Sequence, residues 1–256
     1  MTRDLIVIGA GPAGLATAIA AARHGVRTLV VEKRSLPIDK ACGEGLLPNG
    51  VEALARLGLA SSALVRSSAP IQGIRYITAS GSIASSTFPM GTGLGMRRAC
   101  LSEALVARAR EEPTLEIRSG VLAEMQWSRH GPRVTVGGTT WQPRLVIGAD
   151  GLHSRVRSAA GIETKHGRRR RWGMRQHFSG AAWTDYVEVY FGRRFEAYVT
   201  PVTDGVNVAW LWDQDAIFDG GTRGRGDEGT RGRGDEGTGG GGFERSKGES
   251  DGPWPP

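Results

Sequence analysis

The feature that most constrains this 256-residue chain is a glycine turn between two apolar runs near its start. The run Leu5–Ile8 leads directly into Gly9–Gly14, which reads Gly-Ala-Gly-Pro-Ala-Gly. A second apolar run, Thr28–Val31, ends at the acidic residue Glu32. Strand, glycine turn, helix, strand and acid follow in the order of a dinucleotide-binding βαβ unit. The pattern therefore predicts a parallel sheet with a nucleotide site at the glycine turn.

Each glycine of the turn has a separate physical purpose. Gly9 permits the tight turn, Gly11 lets the backbone approach a pyrophosphate, and Gly14 lets the helix pack on the sheet. The helix N-terminus offers free N–H groups and a partial positive charge to that pyrophosphate. Glu32 is placed to accept hydrogen bonds from ribose hydroxyls.

The segments around the turn agree with this prediction. Residues 13–24 are rich in alanine, the best helix former, and Gly25 is a predicted helix C-cap. Leu5–Ile8 is apolar without interruption, as expected for a parallel strand that is buried on both faces.

Composition narrows the cellular setting. Only four residues precede the first strand, so we expect no signal peptide and a cytoplasmic location. No apolar run approaches the length of a membrane span. The chain has two cysteines, Cys42 and Cys100, which fit a reducing compartment better than a disulfide framework. We expect no metal site and no nucleic-acid partner, and oligomeric state cannot be deduced from the sequence.

The net charge of +7 and the 39 glycines come in part from a low-complexity tail, residues 218–256. The block Gly221–Glu228 is repeated without change as Gly229–Glu236, and almost no apolar residues follow. Such a composition predicts disorder. Three interpretations stay open: a solvated tail, an arginine-glycine segment that binds nucleic acid, and a repeat that stands in place of a different C-terminal sequence. The Asp and Glu of each block argue against the second.

The middle of the chain alternates between helical and strand patterns. Helices are predicted from Pro48 to Gly58 and over residues 97–112, and Ser80-Gly81 marks a hairpin within residues 71–83. Further short strands are predicted over residues 115–117, 121–127, 134–136, 145–149, 185–191, 198–201 and 206–212. The last three predict an antiparallel sheet added to the α/β core. Trp210 and Trp212 share a face of their strand, which favours core packing over a substrate wall. The basic run Arg168–Arg171 is interpreted as a solvated loop, with a phosphate-binding patch as the alternative.

Three motifs together carry a resemblance to a known family. They are the Gly9–Gly14 turn with Glu32, the segment Arg98-Ala-Cys-Leu-Ser-Glu-Ala-Leu105, and the segment Asp150-Gly-Leu-His-Ser-Arg-Val-Arg157. Over about residues 3 to 212 they resemble the flavoproteins with the p-hydroxybenzoate hydroxylase fold. That family includes FAD-dependent monooxygenases and geranylgeranyl reductases.

The resemblance implies a fold, a cofactor and a set of site residues. The fold is α/β: a Rossmann-like FAD/NAD(P)-binding domain over residues 1–165, with an inserted hairpin at about 70–90, and an antiparallel substrate sheet over residues 166–217. Arg98 is implied to contact the phosphate or ribityl part of FAD, Val121 the adenine through its backbone, and the Asp150 turn the pyrophosphate. A surface arginine and a helix N-cap are the structural alternatives for Arg98 and Asp150. The implied cofactor-binding residues are Gly9, Gly11, Ala13, Gly14, Glu32, Lys33, Cys42, Arg98, Val121 and Asp150.

The loop Cys42–Leu46, followed by Pro48, is similar to the loop beside the isoalloxazine ring in geranylgeranyl reductases and some flavin-dependent halogenases. Cys42 is expected to be a small residue in a tight turn, with a redox or proton-donating thiol as the alternative. One departure from the family is large, because the late Gly-Asp motif that opens its last helix has no match. Gly226-Asp227 and Gly234-Asp235 lie inside the repeat.

The expected function is that of an FAD-dependent oxidoreductase of the monooxygenase type. It would use NAD(P)H and oxygen on a small organic substrate, with the cofactor carrying the chemistry. No catalytic side chain is assigned. The alternatives are a geranylgeranyl-type reductase of an isoprenoid and a non-catalytic remnant that keeps the fold but not the cofactor.

Overall fold

The structure is a computed structural model that describes residues 3–59, 63–162 and 171–213. Within these ranges there are five helices: α1 (Pro12–Arg23), α2 (Pro48–Arg56), α3 (Ala63–Arg66), α4 (Arg98–Arg110) and α5 (Arg155–Ala159). The same ranges contain sixteen strands: β1 (Leu5–Ile8), β2 (Thr28–Glu32), β3 (Gly45–Leu46), β4 (Ala69–Ile71), β5 (Gly73–Thr78), β6 (Ile83–Thr87), β7 (Gly93–Gly95), β8 (Leu115–Ser119), β9 (Ala123–Ser128), β10 (Gly131–Val136), β11 (Thr139–Trp141), β12 (Leu145–Gly148), β13 (Arg171–Ser179), β14 (Tyr186–Phe191), β15 (Phe195–Val202) and β16 (Gly205–Asp213). All of them belong to one compact unit, residues 1–220.

A four-stranded parallel sheet, in the order β12-β1-β2-β8, forms the centre of the nucleotide-binding region. The unbroken apolar sequence of β1 follows from its position between two cores. Leu5 and Val7 pack with α1 and α4 on one face. Ile6 packs on the other face against Val134 and Trp141 of the three-stranded sheet β11-β10-β9. Burying each such side chain stabilises the fold by about 1.5–3 kcal/mol.

The predicted helices next to this sheet are confirmed, with small shifts at their ends. α1 begins at Pro12 and ends at Arg23, and Gly25 follows with φ of +75°. α2 begins at Pro48, and Gly58 lies just beyond its end with φ of +87°. A positive φ is accessible to glycine without a Cβ penalty, so both glycines mark where the chain leaves a helix.

The second large layer is a six-stranded sheet in the order β13-β16-β15-β14-β5-β6. Its neighbours are antiparallel except β14 and β5, which run parallel. The predicted hairpin is present as β5 and β6, and its partner strand β14 lies more than a hundred residues further along the chain. The sequence pattern does not predict β13, because glycine and arginine interrupt its apolar alternation.

The register of this sheet separates two faces. His177, Asn207 and Thr200 are direct cross-strand neighbours and share one face. The opposite face carries a core of Val199, Val206 and Val208, against which Trp210 packs. The α/β fold class, with a Rossmann-like sheet and an added, mostly antiparallel sheet, is therefore confirmed.

Candidate functional site

The glycine turn has the geometry that a ligand-binding turn requires. Gly9 has φ of +108°, and a Cβ there would lie 2.3 Å from the carbonyl oxygen of Ala149. A Cβ on Gly14 would lie 1.9 Å from the carbonyl oxygen of Gly9. The nearest atom to a Cβ on Gly11 is Nη2 of Arg98, 4.0 Å away. Packing therefore demands glycine at positions 9 and 14, whereas position 11 faces open space.

The open space lies in front of the N-terminus of α1. Gly11 is the N-cap residue, and no side chain caps this end of the helix. Pro12 occupies the first turn, where its missing N–H costs nothing. An uncapped helix N-terminus with its partial positive charge is suited to a phosphate.

Glu32 ends β2 beside the glycine turn and is buried. Its Oε2 accepts a hydrogen bond from the Ala10 backbone N–H at 2.9 Å, and its Oε1 accepts one from the Arg34 N–H at 3.0 Å. These contacts hold the turn against the end of β2. A carboxylate offers about four acceptor sites, so capacity remains for ribose hydroxyls.

Arg98 is the first residue of α4, and its guanidinium lies beside the glycine turn. Its Nε is buried, and no protein atom in the described residues accepts a hydrogen bond from it. A buried donor without a partner costs free energy unless a ligand or water satisfies it. The Nε of Arg98 is therefore shielded from solvent, although the residue as a whole is half-buried.

Asp150 follows β12 and is engaged with α5. Its Oδ1 accepts a hydrogen bond from the Ser154 hydroxyl at 2.6 Å, and its Oδ2 accepts one from the Arg155 N–H at 2.7 Å. Burial raises the pKa of Asp150, but the hydrogen bonds from Ser154, Val156 and Arg155 outweigh it and lower the pKa. The structure therefore gives Asp150 the structural role of anchoring α5, with Ser154 as the N-cap residue.

These elements surround a cavity of about 570 Å³. The predicted site residues that line it are Gly9, Gly11, Ala13, Glu32, Lys33, Arg98 and Asp150. Gly14 lies in the packing layer behind the turn, and Cys42 and Val121 are outside the lining. The Val121 N–H already donates to the Glu32 carbonyl oxygen at 3.2 Å.

Several lining residues are not predicted by the sequence patterns. They are Arg34, Lys40, Leu122, Met125 and Arg155, among others. Arg155 belongs to the Asp150 motif, which could have indicated it. Arg34 and Lys40 lie in a loop, and Leu122 and Met125 fall in the strand predicted over residues 121–127. Neither pattern indicates a ligand site, so only the fold shows that these residues meet at the cavity.

The loop of residues 33–44 lies between this cavity and the six-stranded sheet. The Ile38 N–H donates to the Ser102 hydroxyl of α4 at 2.8 Å, and the Asn207 side-chain amide donates to the Cys42 carbonyl oxygen at 3.2 Å. Burial raises the pKa of the Cys42 thiol, and although Arg98 and Arg175 act in the opposite direction, the pKa stays raised. This favours a protonated thiol in a tight turn over a reactive thiolate.

Trp210 and Trp212 lie on the sheet face opposite His177 and Asn207, the residues that approach the loop. Trp210 packs against the valine core of that face. The packing interpretation thus agrees with the contacts of Trp210, and both tryptophans lie on the sheet face away from the loop of residues 33–44.

Other sequence features fall outside the described residues. These are Arg168 to Arg170 of the basic run, the tail over residues 218–256, and the Gly226-Asp227 and Gly234-Asp235 dipeptides. Arg171, which is described, pairs with Glu196 at 2.9 Å. Among the described helices, none is both long enough and apolar enough to cross a membrane.

Comparisons with known proteins agree with the geometry. A family profile described as "FAD binding domain" matches residues 2–216. A menaquinone reductase of Mycolicibacterium smegmatis is 55% identical over 58 residues, which cover 23% of this chain and 14% of that protein. The FAD-dependent monooxygenase olcE of Penicillium canescens is 29% identical over 163 residues, which cover 60% of this chain and 35% of that protein. The chain thus spans well under two thirds of the length of these relatives.

The fold also matches solved structures. The crystal structure of pqsL from Pseudomonas aeruginosa, described as "a probable FAD-dependent monooxygenase", superposes with a TM-score of 0.72 at 21% identity. The match covers 86% of this chain and 63% of that chain. At this identity the likeness establishes the fold.

Proposed function

Because the chain belongs to the FAD-binding domain family that matches residues 2–216, we propose that it is the cofactor-binding part of an FAD-dependent oxidoreductase of the monooxygenase type. FAD is the cofactor of this family. The observation that carries the proposal is the cavity in which the glycine turn, Glu32 and Arg98 meet. The whole protein would use NAD(P)H and oxygen to modify a small organic substrate.

The residues around the cavity fit FAD. The open space at Gly11, the uncapped α1 N-terminus and the unpartnered Nε of Arg98 suit the pyrophosphate. Glu32, with acceptor capacity left, suits the ribose of the adenosine half, and Leu122 offers apolar contact next to it. When bound, FAD supplies the electron-transfer chemistry, and these residues bind and orient it.

The two halves of the site are proposed to lie in different parts of the chain. The expected division places cofactor binding in residues 1–165, including the hairpin, but we now assign the hairpin β5–β6 to the substrate region together with strands β13 to β16. The pairing of β5 with β14 supports this assignment of the hairpin. The sheet face with His177 and Asn207 contacts the loop of residues 33–44, which also lines part of the cofactor cavity, so this loop connects the two regions.

The monooxygenase assignment follows the named relatives, among them the monooxygenase olcE. A second candidate is the reduction of an isoprenoid double bond. The short match at 55% identity to a menaquinone reductase favours it, as does the likeness of the Cys42–Leu46 loop to that of geranylgeranyl reductases.

The first experiment is flavin retention. The purified chain is incubated with FAD, separated from the excess by gel filtration and examined for the flavin absorbance band. We expect a band in the wild type and a much weaker band in Gly11→Ala, whose methyl group occupies the open space. The matched control is Gly173→Ala, whose Cβ would meet Leu211 and Trp210 at ordinary distances of 3.5 and 3.7 Å. A folded wild type without flavin would contradict the proposal and favour the non-catalytic remnant.

The second experiment separates the two activities. The flavin-loaded protein is mixed with NADH or NADPH in the presence and absence of oxygen. Oxygen consumed in step with a hydroxylated product supports the monooxygenase. Anaerobic reduction of menaquinone supports the reductase and excludes the need for oxygen.

A further inference from the structure

Glu44 is a buried carboxylate at the end of the loop of residues 33–44. Its side chain has no solvent exposure. It has φ of +58° and is the non-glycine residue with positive φ among those the structure describes. An L-residue holds this conformation at a cost, so the surrounding contacts must fix it. The Glu44 side chain contributes to this, together with the backbone contacts of Cys42 and Glu44 to Asn207 and Met96.

The carboxylate of Glu44 joins three elements of the fold. Oε1 accepts a hydrogen bond from the Arg98 backbone N–H at 2.8 Å, at the first turn of α4. The same carboxylate forms an ion pair with Arg175, and Oε2 lies 2.6 Å from Nε2 of His177. The Glu44 carbonyl oxygen accepts from the Met96 N–H at 2.9 Å. The loop, the start of α4 and strand β13 therefore meet at one residue.

The contact with Arg98 has a consequence for the cofactor cavity. The Arg98 side chain reaches the glycine turn, while the Arg98 backbone N–H is held by Glu44. A long arginine side chain is useful as an anion clamp only if its backbone is fixed, because each freed rotamer costs binding free energy. We infer that Glu44 is a positioning residue that sets Arg98 for the phosphates of FAD. This inference rests on the proposed cofactor site.

The contacts with β13 extend the same device to the six-stranded sheet. Arg175 pairs with both Asp39 and Glu44, and its side chain is nearly buried. Neither Arg175 nor His177 lines the cofactor cavity. The affinity for FAD should nevertheless depend on Arg175, because its loss leaves the buried Glu44 charge with fewer partners. The sheet that is proposed to hold the substrate is thus connected through Glu44 to Arg98.

Glu188 provides a matched control for Glu44. It is also a buried carboxylate paired with an arginine, Arg75, with an N–O distance of 2.7 Å. The Tyr190 hydroxyl donates to it at 2.7 Å. Glu188 lies on β14, and neither of these bonds involves α4 or the loop of residues 33–44. Replacing Glu188 therefore removes a similar ion pair without touching Arg98.

The test compares Glu44→Ala, Glu44→Gln, Arg175→Met and Glu188→Ala. FAD affinity is measured by quenching of flavin fluorescence, and the melting temperature by circular dichroism. Hydrogen–deuterium exchange of the peptide that spans the start of α4 is measured without FAD. We expect Glu44→Ala to weaken FAD binding by about tenfold or more and to speed exchange at the Arg98 amide, since a charge-assisted hydrogen bond is lost.

The other variants decide between positioning and general stability. Glu44→Gln keeps an acceptor for the Arg98 N–H and should retain the slow exchange, with an intermediate FAD affinity. Glu188→Ala should lower the melting temperature yet leave FAD affinity within about twofold and the Arg98 exchange unchanged. If Glu44→Ala binds FAD as tightly as Glu188→Ala does, the inference is wrong. If Glu44→Ala does not fold, the same comparison is made with Glu44→Gln and Arg175→Met. A wild type that binds no FAD overturns the proposed function. In that case, fast exchange in Glu44→Ala but not in Glu44→Gln or Glu188→Ala still supports the positioning of Arg98.

Discussion

The glycine turn yields a prediction in which two similar substitutions have opposite effects. In Gly14→Ala the new methyl group would lie 1.9 Å from the Gly9 carbonyl oxygen, about 1.5 Å short of ordinary contact. The obstacle is backbone, so α1 must move away from β1. In Gly11→Ala the nearest atom is 4.0 Å away, and Gly11 has φ of −67° and ψ of 174°, which alanine adopts freely.

The magnitudes follow from these distances. Overpacking against fixed backbone costs about 1–3 kcal/mol, which lowers the melting temperature of a domain of this size by roughly 2–12 °C. Gly11→Ala removes backbone freedom from the unfolded chain at an unstrained position and should change stability by less than about 1 kcal/mol, toward higher stability. Its methyl group occupies the space proposed for the pyrophosphate, so FAD affinity should fall about tenfold or more.

The assay measures the melting temperature without FAD and the FAD dissociation constant for both variants and the wild type. We expect Gly14→Ala to lose stability and Gly11→Ala to lose FAD binding while it keeps its stability. Gly173→Ala, remote from the cavity, controls for the added methyl group. Wild-type FAD affinity in Gly11→Ala would refute the placement of the pyrophosphate, and an unchanged melting temperature in Gly14→Ala would refute the packing argument.

Three further predictions concern charged groups. Glu32→Ala leaves the Ala10 and Arg34 N–H groups without their acceptor, so it should lower the free energy of unfolding by about 2 kcal/mol and weaken FAD binding; equal FAD affinity in Glu32→Ala and wild type would contradict the ribose assignment. The pKa of Asp150 is lowered in the folded state. Its stabilisation is therefore present above the unfolded pKa near 4 and is lost as the pH falls through the lower folded pKa. Asp150→Ala should lower the free energy of unfolding by about 1 kcal/mol at neutral pH and by little in acid, as urea unfolding at several pH values would show. Burial, Arg97 and Arg175 lower the pKa of His177, although Asp204 and Asp39 act in the opposite direction. The stability of the fold should therefore be full above about pH 6.5 and fall as the pH drops through the lower folded pKa. The melting temperature of His177→Asn should depend less on pH in that window, and identical pH profiles of variant and wild type would contradict this prediction.

Much of the nucleotide-binding region was predictable because its signals are local. Gly14 is required by its contact with the Gly9 carbonyl oxygen, and Gly9 by its φ of +108°, and both requirements lie within one strand, turn and helix. The Ala149 backbone that also approaches Gly9 comes from a distant part of the chain. The uninterrupted apolar run of β1 likewise predicts burial on both faces, which the two cores confirm. The spacing of Glu32 places it at the end of the next parallel strand for the same reason.

The sequence by itself determined the succession of elements in the first βαβ unit, the position of the glycine turn and the candidate partners of a dinucleotide, because each depends on neighbours close in the chain. Only the tertiary structure decided that the hairpin β5–β6 pairs with β14 and that Trp210 faces away from the loop of residues 33–44. It alone brought Glu44 to His177, 133 residues later in the sequence. The partners of a buried carboxylate come from strands distant in the sequence, so the residues next to it in the chain do not predict them.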